Sequence, residues 1–304
     1  MSDDFVIIMV AGLVATACGL LGPFLVLRRI ALLSDAVSHA VLPGIVAVWL
    51  VGQTRSPLPV VIGAAAFAVV CVLAIDALRA SGLVASDAAI ALVFPALFSL
   101  GVLGVTQFAD GIHLDLDSTI YGEIAFVPFD SVEVGGGFAI ARAGLVLAVV
   151  VVLNLTLITL LWKELKATTF DPAFSATVRL RPQLLSRLLL VAVAVTAVSA
   201  FEAVGAILVV TMLIVPAATA YLLTDRLVVM VGLSVGVGWV GAVAGHTLAI
   251  AYDSSIAGAM GLVCAACFVV ALLASPKHGL LTRRLRTRPT ESAHRPVEAG
   301  TTPR

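Results

Sequence analysis

Runs of about 20 apolar residues recur from Phe5 to Ser275 with only short interruptions, and that is the length a helix needs to cross the hydrocarbon core of a bilayer. Lipid offers no partner to a backbone N–H or C=O, so such a chain folds as spanning helices whose backbone bonds close within each segment. A transmembrane barrel would instead show strands of about 10 residues alternating apolar and polar side chains. No such alternation runs through this sequence. Composition excludes a soluble domain: 61% of residues are hydrophobic, 12% are charged and the mean hydropathy is +1.14, where soluble domains are typically about 45–50% apolar. The first run follows Ser2, Asp3 and Asp4 rather than a basic stretch and outlasts the apolar core of a signal peptide, so it reads as a retained span.

The sequence places spans at 5–27, 36–50, 58–78, 88–106, 143–163, 187–201, 203–222, 227–248 and 256–275. The expected fold is an all-α polytopic bundle of eight or nine transmembrane helices over residues 1–275. Spans 36–50 and 187–201 are too short to cross straight and are expected to be broken or partial. The polar, proline-containing tail 276–304 reads as disordered.

With the N-terminus outside, Arg28, Arg29, Arg79, Lys163, Lys166, Arg179, Arg181, Arg187 and Arg226 fall in cytoplasmic loops, and Lys277 with six arginines falls in the tail. That makes sixteen basic residues against two, Arg55 and Arg142, on the other side. Positive charge stays inside, so the N-terminus is expected to be external and the C-terminus cytoplasmic. An external loop, 107–142, is acidic and ends in the triplet Gly135–Gly137. Its His113, Asp115 and Asp117 either attract cations or a delivery protein, or form a solvated acidic face. A cytoplasmic loop, 164–186, is basic, and Pro172 and Pro182 bracket a stretch able to form one short helix on the membrane surface. Anionic lipid would attract such a loop. No internal repeat of the kind found in many secondary transporters is visible.

An ionisable side chain within a span is costly unless it meets water, a partner or a substrate. In SDAVSHAVLPG at 34–44, Asp35 and His39 lie four residues apart on one helical face with Ser38 beside them. Carboxylate plus imidazole makes half a site for a divalent transition metal, and Pro43 and Gly44 loosen the helix where a backbone would bend around a pathway. The alternative is that Asp35 caps a helix beginning at Ala36 while His39 bonds to a neighbouring helix. Glu202 faces either the route or external water. Asn154, Thr156 and Thr159 are expected to bond to neighbouring helices, and His246 and Asp253 to be solvated at an external boundary. Cys18, Cys71, Cys264 and Cys267 all sit in apolar runs, where free thiols pack as small hydrophobes. The Cys264-x-x-Cys267 spacing has no second pair to complete a metal site.

The run RRIALLSDAVSHAVLPG at 28–44 resembles the signature of the zinc, manganese and iron permease family of ABC importers. YGEIAFVPFD at 121–130, KELKATTFDP at 163–172 and EAVGAILVVTMLIVPAATA at 202–220 are similar to further family blocks in the same order, so the likeness covers 5–275. The resemblance implies a type II ABC importer permease fold and a dimer with a second, identical or related, permease subunit. It implies that Asp35 and His39 line the metal route and that Phe170, Asp171 and Pro172 contact a separate cytoplasmic ATP-binding subunit. An extracytoplasmic metal-binding protein is the remaining partner; nucleic acid is not one. The family usually has Gly before the Asp where this chain has Ser34, and small residues after Phe-Asp-Pro where Ser175 and Arg179 stand.

No G-x-x-x-x-G-K-[ST] loop occurs, so ATP would be held by the partner subunit and no enzymatic site is expected on this chain. Manganese, zinc and iron would be cargo rather than resident cofactors, and the second and third blocks lean towards the manganese and iron branch. A proton- or ion-coupled secondary transporter is the alternative. An intramembrane metalloenzyme is disfavoured because no H-E-x-x-H occurs and His39 is the only histidine well inside an expected span.

Overall fold

A computed structural model describes residues 3–30, 33–52, 57–108, 123–134, 138–178 and 180–275. Helix α1 (Asp3–Leu27) is followed by the short pair α2 (Leu33–His39) and α3 (Val41–Gly52), then α4 (Pro57–Ala80) and α5 (Ser86–Phe108). A 3-10 turn (Ile124–Phe129) leads into an antiparallel hairpin of β1 (Ser131–Val134) and β2 (Phe138–Ala141), in register with Ser131 opposite Ala141. Then come α6 (Arg142–Leu160), α7 (Trp162–Phe170), α8 (Pro172–Thr177), α9 (Pro182–Val204), α10 (Ala206–Leu223), α11 (Leu227–Tyr252) and α12 (Ile256–Ala274). Among the described residues eight helices are long and apolar enough to cross a membrane: α1, α4, α5, α6 and α9–α12.

Helix α1 is apolar on every face and threads the middle of the bundle, packing on α11, α10, α6 and α9. Close approach depends on its small residues. A Cβ at Gly22 would collide with the backbone carbonyl of Leu213 on α10, and one at Gly12 with the Trp239 ring on α11. Packing of small residues is what holds helices together where lipid removes the hydrophobic drive. Polar bonds add to it: Asn154 donates to Thr196 Oγ1 at 2.8 Å and to the Ala17 carbonyl at 3.5 Å, joining α6, α9 and α1. Thr156 and Thr159 instead return their protons to Val152 and Leu155 of their own helix, correcting the expectation of interhelical bonds for those two.

The short span expected at 36–50 is a broken one. Helix α2 ends at His39, Ala40 is a turn and α3 restarts at Val41; Pro43, with no N–H, cannot donate to the carbonyl four residues back, so the interruption falls just before it. Residues 33–52 would reach about 30 Å at 1.5 Å per residue if the two helices ran in line. The other short span is not partial: α9 is a continuous helix of 23 residues. Its ionisable ends mislead in the sequence, because Arg187 reaches from α9 to Asp76 of α4, Nε to Oδ2 at 2.8 Å, while Glu202 stays exposed near the other end. Gly205, at φ 80° and ψ 159°, separates α9 from α10 in a conformation open to glycine almost alone.

Candidate functional site

Helix α2 buries Leu33, Ala36, Val37 and Ala40, the i, i+3, i+4, i+7 stripe of an inward-facing helix. His39 lies off that stripe and is exposed on the single chain. Its ring packs on two aromatic residues one turn apart on α5, with centroids 5.0 Å from Phe94 and 5.7 Å from Phe98. Those rings restrict how the imidazole can turn. Asp35 occupies α2 one turn before His39, and Ser38 the position before it; their side chains lie outside what the structure describes. Helix α2 itself is braced by α9, α5 and α4, so the Asp35–His39 turn is mounted on a short, packed, independently ended segment.

At the Arg28 end of α1, α7 stops at Phe170, and the Asp171 carboxylate starts the next helix. Its Oδ1 accepts the Phe174 N–H at 2.8 Å and caps α8. The buried Ser175 hydroxyl donates to the Asp171 carbonyl at 2.7 Å, so the small residue after Phe-Asp-Pro locks the turn. Phe170, Phe174 and Val178 recur every four residues and stand 56%, 61% and 55% exposed, three apolar side chains left uncovered by the described residues. The short helix expected between the two prolines therefore exists as Pro172–Thr177, preceded by the nine-residue α7. Pro172 opens α8, and Arg179 lies outside the described residues.

Glu202 is not brought to α2. It lines a cavity of about 630 Å³ at the Asp4 end of the bundle with Glu123, Asp130, Arg142, Ser199 and Ser255, and none of its described lining residues belongs to α2–α5. His246 corrects the expectation of solvation: it is 2% exposed, and its Nε2 meets Asp4 Oδ1 at 3.2 Å, tying α11 to the start of α1. Asp253 is exposed and turns left-handed to end α11. Cys18, Cys71 and Cys264 are buried free thiols and Cys267 is partly buried, as packing predicts. Among the described residues no cluster of three or more His, Cys, Asp or Glu could hold a metal ion. His113, Asp115 and Asp117 lie outside the described residues. Sequence reasoning missed the His246–Asp4 pair and the Phe94–Phe98 shelf, because neither contact has a local spacing signal.

Eight membrane-length apolar helices among the described residues, with the short helices α2 and α3 between the first two, define the class, a multi-span membrane protein. Residues 5–275 match the ABC 3 transport family, and the chain belongs to it. It is 42% identical to the manganese transport system membrane protein MntD of Bacillus subtilis, over 94% of this chain and 97% of that protein. It is 40% identical to the zinc transport system membrane protein TroD of Treponema pallidum, over 92% of this chain and 76% of that one. Identity is 30% to the chelated iron transport system membrane protein YfeC of Yersinia pestis, over 95% and 92%. The solved structure of PsaBC from Streptococcus pneumoniae in complex with Fab superposes with a TM-score of 0.75 at 27% identity, over 93% of this chain and 96% of that chain. The chain is thus a multi-pass ABC permease of the bacterial membrane.

Proposed function

We propose that this chain is the conducting subunit of an ATP-driven importer of divalent transition metals, with manganese the favoured cargo. The observation that carries the reading is His39: an imidazole on the exposed face of a crossing segment, mounted on two aromatic rings and one turn from a carboxylate position. The exposed face of α2 is where a covering partner would seat. A second permease copy supplies one and would bring a second Asp35–His39 pair to the same place. Four protein ligands of carboxylate and imidazole type suit manganese, iron or zinc, and the Asp35 charges offset the dication. Relatives named for manganese, zinc and chelated iron support the metal class, and the 42% identity to a manganese protein supports the preference.

In this reading the N-terminus is external and the C-terminus cytoplasmic, as the sixteen-to-two charge split implies. The strip Phe170, Phe174 and Val178 then faces the cytoplasm, where a separate ATP-hydrolysing subunit covers it and drives the cycle. An extracytoplasmic binding protein delivers the ion at the Asp4 end, beside the acidic segment containing His113, Asp115 and Asp117. The test is uptake of manganese, zinc and iron in parallel by the complete complex in vesicles. ATP-dependent manganese uptake exceeding the other two is expected; ATP-independent uptake driven by a proton or sodium gradient would contradict the reading.

A further inference from the structure

We propose that Arg28 is a positioning residue that makes the Phe170–Pro172 turn and the Asp35–His39 helix move as one piece, so that a push at the first is felt at the second. The inference rests on the reading of Phe170–Pro172 as the ATPase contact. Arg28 follows α1 directly, and its guanidinium forks onto α7: Nη2 donates to Thr168 Oγ1 at 3.1 Å and Nε to Thr169 Oγ1 at 3.2 Å. Both hydroxyls are oriented to receive it. Thr168 Oγ1 gives its own proton to the Glu164 carbonyl at 2.8 Å and Thr169 Oγ1 to the Leu165 carbonyl at 2.6 Å, which leaves their lone pairs for the guanidinium.

Burial lowers the Arg28 pKa from its ordinary value, the mark of a cation that has given up water for protein partners. A second contact holds the other end of α7, where Trp162 meets Phe24 of α1 edge-on at 6.4 Å. Helix α7 is therefore bolted to the end of α1 at both of its own ends, and its last residue is Phe170.

The other side of the joint is as stiff. Arg29 holds φ 57°, a left-handed conformation uncommon outside glycine, and Ile30 N–H bonds back to the Leu25 carbonyl at 3.0 Å. Ile30 is buried at 2% exposure and its carbonyl accepts the Leu33 N–H at 3.1 Å, opening α2. From Thr168 to Leu33 the path is two charged hydrogen bonds, one tight turn and one backbone bond. Among the described residues, the breaks at Ala40 and Gly205 lie beyond it.

The complete importer in vesicles, with manganese as the probe, tests this through four variants. Arg28→Lys keeps the charge but loses the fork. Its ATPase subunit should co-purify in full and basal hydrolysis should persist. Stimulation of hydrolysis by manganese and binding protein should fall about tenfold, equivalent to roughly 1.4 kcal/mol of lost coupling. Thr168→Val with Thr169→Val should produce the same loss, and combining it with Arg28→Lys should add nothing. Thr168→Ser with Thr169→Ser should retain stimulation, which separates the hydroxyls from threonine packing. Wild-type stimulation in Arg28→Lys, loss of co-purification in that variant, or additive losses in the combination would each overturn the proposal. Phe170→Asp tests the contact itself: intact stimulation there, with a loss in Arg28→Lys, would overturn the Phe170–Pro172 contact and with it the push that Arg28 is proposed to transmit.

Discussion

His39 sits on a packed turn whose opposite face, Leu33, Ala36, Val37 and Ala40, is sunk in the bundle, so its place relative to α5 is set by apolar burial rather than by the imidazole itself. Phe94 and Phe98 then choose the ring's orientation. Removing one ring by Phe94→Ala should leave assembly intact and lower manganese uptake about two- to tenfold, the worth of one aromatic contact of about 0.5–1.5 kcal/mol. His39→Ala removes the donor and should abolish uptake, whereas Ser38→Ala should be mild because a hydroxyl is a weak ligand beside carboxylate and imidazole. Initial uptake rates of the three variants at matched expression decide it; equal defects in Ser38→Ala and His39→Ala would point to a disturbed helix instead of a lost ligand. The Asp35–His39 spacing was legible in the sequence because both residues lie within one helical turn. The aromatic shelf was not, since it comes from α5 more than fifty residues later.

At the scale of elements, proline and glycine act as readable punctuation and charge as a misleading one. Pro43 announces the α2–α3 break from sequence alone. Arg187 and Glu202 look like the ends of a short span, yet α9 runs through both, because Arg187 finds Asp76 across the helix pair and Glu202 opens to a cavity. The α9–α10 boundary lies at Gly205, where φ 80° excludes a side chain without strain. Gly205→Ala should destabilise the protein by about 1–3 kcal/mol, the cost of holding a non-glycine residue in that region. Thermal unfolding in detergent measures it, and an unchanged midpoint would mean the break tolerates a side chain. The hairpin Ser131–Ala141 has no signal in the sequence because its strands are four residues each, too short for a period-2 pattern to register.

For the whole molecule, hydropathy carried most of the architecture, because the bilayer restricts spanning segments to closed helices. Reporters placed at the exposed turns near Gly82 and Thr224 should read cytoplasmic, and one at Ser254 external; a reversed pattern would move the Phe170 strip to the wrong side for an ATPase. What the sequence could not supply is the covering of the α2 face, since half of the proposed site belongs to a second copy. The central claim is that Asp35 contributes charge to a transient metal site, and Asp35→Asn isolates it by keeping size and most hydrogen bonding while removing the charge. Asn caps a helix about as well as Asp, so a merely structural Asp35 would leave transport near normal. The deciding measurement is ATP-dependent uptake of radiolabelled manganese by the Asp35→Asn complex, with subunit assembly checked in the same preparation. Loss of uptake in a fully assembled complex is expected, and near-normal uptake would contradict the assignment.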